Sequence, residues 1–276
     1  MKAPAFDYVR PQSLDEAAAL LGQDGEAQLL AGGQSLLAMM NLRLAAPDRL
    51  IDISRLPELA AIGEDADAVT LGACVTHAMI EDRRIPDPSR GLLPLAAATL
   101  AYRAVRTRGT IGGSLALADP AGEWPCVFAA LDAEALLRSR SGRRRLSCAG
   151  FVTGIYETAR AADEIVEAVR VPKLSAAARW GYVKLARKEG AFAAALAVAV
   201  ADPAHGRYRL VLGAANGPPL PLERAAALLG EGCRDEDRYR RAVAEDLAGA
   251  ADRHFDGFET KLHAAAALRA LRQVSA

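Results

Sequence analysis

Gln28-Leu29-Leu30-Ala31-Gly32-Gly33-Gln34-Ser35-Leu36-Leu37 carries the signals that decide the fold of the first part of this chain. Gln28–Ala31 reads as a short strand, and Gly32-Gly33 interrupts it. From Ser35 onward Leu36, Leu37, Met39 and Met40 recur at helical spacing, so a strand, a glycine turn and a helix are expected in succession. Glycines lack a Cβ, which lets backbone N–H groups approach and point at an anion. A helix N-terminus behind them adds favourable partial charge. Outward from this stretch the pattern repeats. Phe6–Val9 reads as a strand closed by Arg10-Pro11. Ser13 and Glu16 form a capping box for a helix with Leu14, Ala17, Ala18 and Leu21 on its apolar face and Gly22 at its end. Leu50–Ile53 is a third strand, and residues 1–55 are expected to form one unit.

A second glycine pair stands in Arg108-Gly109-Thr110-Ile111-Gly112-Gly113-Ser114-Leu115, approached by a helix expected from Leu92 to Arg106. The surrounding region, 56–175, has a more mixed texture. Val69–Ala73 reads as a strand and Thr76 as the cap of a following helix. Glu134–Arg140 and Arg143–Cys148 flank Ser141-Gly142, a two-residue hairpin signal. Arg138, Arg140, Arg143, Arg144 and Arg145 lie on that hairpin, and strand alternation puts many of them on one solvated face. Ile165–Val171 is a strand stopped by Pro172. The remainder, 176–276, is expected to form an antiparallel sheet from Gly181–Leu185, Ala193–Val200 and Tyr208–Leu212. Asp202–Gly206 supplies a turn, and helices follow over Leu222–Leu229, Asp235–Ala251 and Thr260–Val274. The two glycine segments would suit the two sides of a pyrophosphate, although either one taken alone reads more readily as a plain tight turn, since Gly-Gly is common in loops.

Composition narrows the function. The chain has 276 residues and no net charge, which gives no global field toward nucleic acid or an anionic membrane. It is 51% hydrophobic, but 61 residues are alanine and only 5% are aromatic, so large apolar side chains are not abundant. The opening residues lack a basic stretch followed by an apolar one, and the longest apolar run, Phe192–Ala201, is about half of a membrane span. Cys74, Cys126, Cys148 and Cys233 are widely spaced, as are His77, His205, His254 and His263, so no metal site is expected on this chain. Reduced thiols in a cytoplasmic protein fit this usage. No G-x-G-x-x-G or G-x-x-x-x-G-K-[ST] motif is present. Gly112-Gly113-Ser114-Leu115-Ala116 lacks the final glycine of a nucleophile elbow, and no histidine is placed to support a triad.

Taken together, the two glycine segments resemble those of the FAD-binding medium subunits of the molybdenum hydroxylases, the carbon monoxide dehydrogenase/xanthine dehydrogenase group. Ala31-Gly32-Gly33-Gln34-Ser35-Leu36, followed by Met39-Met40-Asn41-Leu42-Arg43-Leu44, is similar to the family's first flavin-binding loop. Arg106–Ser114 with Ala118-Asp119-Pro120 and Pro125 is similar to the second. Asp163-Glu164-Ile165-Val166, Val171-Pro172 and Tyr182–Lys188 continue the likeness, which covers essentially the whole chain.

The resemblance implies an α+β protein: a two-part FAD-binding domain of the vanillyl-alcohol-oxidase (PCMH) type, then a C-terminal domain with a small antiparallel sheet and helices. It places FAD on this chain against Ala31, Gly32, Gly33, Gln34, Ser35 and Leu36, and against Thr110, Ile111, Gly112, Gly113 and Ser114. Asp119 would accept hydrogen bonds from the ribityl or flavin side, Lys184 would lie near the flavin, and Ile165 near the adenine end. On sequence alone Asp119 is equally a turn residue before Pro120, whereas Lys184 reads first as a solvated strand residue. The family's partners are a large subunit with a molybdopterin cofactor and a small iron–sulfur subunit with two [2Fe–2S] clusters, in a dimer of heterotrimers. No catalytic residue, nucleic acid or membrane insertion is implied. Three positions depart from the family's pattern: Ser114 where Asn is frequent, Leu117 where His is frequent, and Ala191 where Asp is frequent. A stand-alone FAD oxidoreductase and a flavin-free assembly module are the alternatives.

Overall fold

The computed structural model describes residues 2–23 and 26–275; Met1, at the head of the opening segment considered above, lies outside them. The first part contains β1 (Asp7–Val9), α1 (Leu14–Leu21), β2 (Ala27–Leu30), α2 (Leu36–Asn41) and β3 (Arg49–Asp52). β3 is central and runs parallel to both neighbours, in the order β1-β3-β2. Parallel neighbours need crossover connections, which α1 and α2 supply. Ser13 Oγ accepts from the Glu16 N–H at 3.1 Å. The Glu16 carboxylate reaches one residue beyond the usual box and accepts from the Gln12 N–H at 2.7 Å. At the end of β3 the buried Asp52 accepts from the Tyr8 hydroxyl, from Arg10 at 3.3 Å and from the Ser54 N–H at 2.9 Å, tying β1 to β3. Burial alone would raise its pKa, but these hydrogen bonds together hold it down to about 2.

The second part holds α3 (Pro57–Ala60), β4 (Ile62–Glu64), β5 (Ala68–Gly72), α4 (His77–Glu81), α5 (Leu92–Thr99), α6 (Arg103–Arg106), α7 (Ile111–Leu117) and α8 (Glu123–Ala130). It continues with β6 (Glu134–Ser139), β7 (Gly142–Ser147), β8 (Val152–Gly154), β9 (Glu157–Thr158) and β10 (Ile165–Pro172). Five of these strands make an antiparallel sheet in the order β4-β5-β10-β6-β7. Three expectations change here. The helix read as Leu92–Arg106 is two helices, broken where Ala101 takes φ 37°. Arg106 reaches back and donates to the Leu100 and Ala101 carbonyls at 2.8 and 3.0 Å, which satisfies the groups the break leaves open. The hairpin turn falls one residue earlier, on Arg140-Ser141, with Ser139 opposite Gly142. Finally, Gly112-Gly113 lies inside α7 rather than in a loop.

Four of the five hairpin arginines are matched by carboxylates. Arg138 pairs with Asp15 at 2.6 Å, Arg143 with Glu167 at 2.8 Å, Arg144 with Glu164 at 2.5 Å and Arg145 with Glu134 at 3.7 Å. They stitch the sheet and α1 together.

The last part is a four-stranded antiparallel sheet of β11 (Arg179–Leu185), β12 (Ala195–Asp202), β13 (Arg207–Gly213) and β14 (Leu220–Pro221), in that order. It is covered by α9 (Glu223–Gly230), α10 (Glu236–Gly249) and α11 (Gly257–Ser275). β12 is buried on both faces. Leu196, Val198 and Val200 join the core shared with the second part, whereas Ala195, Ala197 and Ala199 join a separate core beneath the helices. α11 lies so close to β11 that a Cβ on Gly181 would stand 2.1 Å from the Ala270 carbonyl oxygen. Among the described residues no helix is long and apolar enough to cross a membrane.

Candidate functional site

The fold brings the two glycine segments into contact. A Cβ added to Gly32 would stand 2.0 Å from the Arg108 carbonyl oxygen and 3.0 Å from Gly109 Cα, so only glycine lets the two backbones meet.

The first segment leaves β2 and turns at Gly33, whose φ of +72° favours glycine. The Leu37 N–H bonds back to the Gly33 carbonyl at 3.2 Å, and Gln34 Nε2 donates to the Gly32 carbonyl at 3.2 Å. Ser35 caps α2 by position without a side-chain hydrogen bond to the helix. The N–H groups of Gly32, Gly33, Gln34, Ser35 and Leu36 have no acceptor among the described residues. Ala31, Gly32, Gly33, Ser35 and Leu36 are half-buried and Gln34 is exposed, so these donors sit at the surface. Consecutive free N–H groups are what an anion such as a pyrophosphate requires, and the residues fit that group.

The second segment is built differently. Thr110 is the N-cap of α7, and its Oγ1 accepts from the Gly113 N–H at 3.1 Å. The Ile111 N–H donates to Val75 O at 3.1 Å, the Gly112 N–H to Ala73 O at 2.9 Å and the Ser114 N–H to Thr110 O at 3.0 Å. No N–H of the first turn is left to point at a phosphate. Gly112 is glycine because a Cβ there would meet Ala73 Cβ at 2.4 Å, and Ile111 is fully buried as the anchor of the helix. Only Gly113, exposed, and Ser114, half-exposed, turn outward from this turn.

Other expected site residues divide. Asp119 is a turn residue: its Oδ1 accepts from the Ala121 N–H at 2.9 Å, and its Oδ2 from the Tyr156 hydroxyl at 3.3 Å. It stays half-exposed, with acceptor capacity to spare. Lys184 is not solvated. Its side chain is 8% exposed, and Nζ donates to Thr99 O at 2.8 Å and to Glu123 Oε1 at 2.6 Å. Burial pushes the Glu123 carboxyl pKa up, while Lys184 opposes the rise. Ile165 is fully buried in β10 opposite Arg138. Leu117 and Ala191 are half-exposed and add no polar side-chain atom.

Sequence reasoning missed two residues. Glu123, the partner of Lys184, begins a fully buried helix that lacks amphipathic spacing. His77 shows neither metal-site nor triad spacing in the sequence, yet it packs against Gly109 and accepts from Trp124 at 3.0 Å. Its one legible signal was its place directly behind the Thr76 cap. Among the described residues no three His, Cys, Asp or Glu side chains gather as a metal site would need.

Residues 4–174 match the family of FAD-binding domains in molybdopterin dehydrogenases. The chain is 38% identical to the carbon monoxide dehydrogenase medium chain of Hydrogenophaga pseudoflava, across 91% of this chain and 92% of that one. It is 36% identical to the nicotine 6-hydroxylase medium subunit of Paenarthrobacter nicotinovorans, across 90% and 96%. Among solved structures, it superimposes on carbon monoxide dehydrogenase from Hydrogenophaga pseudoflava with a TM-score of 0.92 at 35% identity, covering 99% and 98% of the two chains. Quinoline 2-oxidoreductase from Pseudomonas putida 86 follows at 0.88 and 33% identity, covering 100% and 98%. The free N–H row, the α+β architecture and these relatives converge: the chain belongs to the FAD-binding medium subunits of the molybdenum hydroxylase and dehydrogenase family.

Proposed function

We propose that this chain is the electron-transfer subunit of a molybdenum hydroxylase complex, taking electrons from a [2Fe–2S] partner subunit and passing them to an external acceptor. The observation that carries the reading is the row of free N–H groups from Gly32 to Leu36, standing where the first segment abuts the second. Bound FAD would supply the redox chemistry; the protein contributes position and electrostatics.

The first segment would bind pyrophosphate through its backbone. Gly113 and Ser114 would line the opposite side, with Thr110, Ile111 and Gly112 fixing the helix that presents them. Asp119 would accept hydrogen bonds from the ribityl or flavin side. Lys184, its charge already balanced by Glu123, would add shape and a fixed dipole rather than a free cation. The division 1–55, 56–175 and 176–276 is proposed as two FAD-binding subdomains and a C-terminal domain. The partners would be a large molybdopterin subunit and a small subunit with two [2Fe–2S] clusters, in a dimer of heterotrimers within the cytoplasm. Support for partners comes from relatives named as medium chains and medium subunits. Those relatives are subunits of enzymes named for substrates as different as carbon monoxide and nicotine, at 38% and 36% identity, so likeness to this chain does not track substrate. Substrate choice accordingly belongs to another subunit.

The test is purification of the full chain with its co-expressed partners, followed by flavin, iron and molybdenum analysis of one sample. FAD together with iron and molybdenum is the expected result. FAD without either metal would favour a stand-alone oxidoreductase, and no FAD even after reconstitution would overturn the reading.

A further inference from the structure

His77 occupies the first position of α4 and is 6% exposed. Trp124 Nε1–H donates to its Nδ1 at 3.0 Å, so the proton of the neutral ring resides on Nε2. Burial, then the positive charge of Arg106, lowers its pKa to about 4 and keeps the ring neutral. Arg106 is itself paired with Glu81, at 2.8 and 2.9 Å. Trp124 is fully buried and stacked on Phe128, with ring centroids 5.1 Å apart. The indole therefore fixes the imidazole from the core side.

The opposite edge of the ring faces the second glycine segment. A Cβ on Gly109 would lie 2.8 Å from both Cδ2 and Nε2 of His77, so the imidazole fills the space that a side chain there would need. The His77 N–H also donates to the Gly109 carbonyl at 3.0 Å. Gly109 Cα in turn is one of the atoms that excludes a Cβ from Gly32. Trp124, His77, Gly109 and Gly32 thus form an unbroken row of contacts from the core to the junction of the two segments.

We propose that His77, held by Trp124, is a positioning residue that sets where the second glycine segment stands against the first, and with it the cleft available to FAD. The inference rests on the reading of these segments as the FAD site. Neither His77 nor Trp124 is required to touch the ligand.

A double-mutant cycle on the FAD dissociation constant tests it, using the full chain in its complex, stripped of FAD and titrated with FAD. Gly109→Ala places a methyl in the space of the ring and is expected to weaken FAD binding roughly ten-fold or more. His77→Ala is expected to weaken it several-fold. The double variant should bind no worse than His77→Ala alone, because the two atoms nearest the methyl belong to the ring and only the Val105 carbonyl oxygen, at 3.2 Å, then remains close. His77→Asn retains an acceptor for Trp124 but not the ring edge. It should melt close to wild type without FAD while losing affinity several-fold, which a purely structural role would not produce. Multiplying losses in the double variant, or unchanged affinity in His77→Asn, would overturn the positioning role while leaving the FAD site intact. A wild-type complex that takes up no FAD would remove both.

Discussion

Gly32-Gly33 and Gly112-Gly113 look alike in sequence, and each precedes or enters a short helix. In the first pair the backbone leaves its donors open: the N–H groups of residues 32 to 36 have no acceptor among the described residues. In the second pair every N–H of the first helical turn is engaged, by Val75, Ala73 or Thr110. The first segment is thus suited to bind an anion, and the second to stand firm beside it. Glycine serves both ends for different reasons. Gly32 and Gly112 admit a neighbouring backbone, Gly33 admits a positive φ, and Gly113 leaves an outward face bare.

Substitution is the direct way to break this comparison. Gly32→Ala and Gly112→Ala both force a methyl into atoms that cannot yield, at 2.0 Å from the Arg108 oxygen and 2.4 Å from Ala73 Cβ. Each is expected to destabilise the chain by about 3 kcal/mol or more, with Gly32→Ala the worse, in denaturant unfolding. Equal tolerance of both would show that the segments are not packed as described. Lys184→Met leaves Glu123 buried and unpaired and is expected to cost about 3 kcal/mol. Adding Glu123→Gln should recover much of that loss, which thermal melts of the single and double variants would reveal.

Acid probes the same contrast through His77. Its pKa falls from an ordinary 6.5 to about 4 in the folded chain, so the unfolded chain binds a proton first. Stability contributed by the neutral ring is fully present above the ordinary value and drains away as pH falls from 6.5 towards 4. Asp52, lowered to about 2 from 3.8, extends the loss below that. Unfolding titrations should therefore show a decline that begins near neutrality, and His77→Asn should flatten its upper part.

The smaller effects separate cap from ligand. Thr110→Val removes the hydroxyl that holds the Gly113 N–H and is expected to cost about 1 kcal/mol of stability. Gly113→Ala is expected to change stability least, since its methyl meets only the Thr110 hydroxyl, at 2.9 Å, and helix propensity gains about 1 kcal/mol. FAD affinity should nevertheless fall, because the bare face of Gly113 is the surface assigned to the ligand. Unaltered affinity would move the second side of the site elsewhere along α7.

Much of this architecture was readable from local signals. Ser13 and Thr76 announced their helices through side-chain caps, and the turn at Asp202–Gly206 announced the antiparallel pairing of the strands on either side of it. What escaped depended on contacts distant in sequence. α8 reads Glu-Trp-Pro-Cys-Val-Phe-Ala-Ala and is buried on every side, so it lacks the periodicity that marks a surface helix. The break at Ala101 contains neither glycine nor proline and depends on Arg106 folding back over it. Both glycine segments were found by composition, but their unlike roles were set by Ala73, Val75 and Arg108, which no local pattern connects to them. Lys184 looked like an exposed strand residue because its carboxylate partner lies on α8.

The alternation of β12 gives the abundance of alanine a meaning of its own. Even-numbered positions, Leu196, Val198 and Val200, fill one core, while Ala195, Ala197 and Ala199 lie under helices rich in alanine themselves. A single strand is thereby a page written in two scripts, letter by letter. One script tolerates exchange among bulky side chains of similar volume, and the other admits almost nothing larger than a methyl. Sequence drift along this strand is expected to proceed at two tempos, interleaved with a period of two residues, although every position from Ala195 to Val200 is hidden from water.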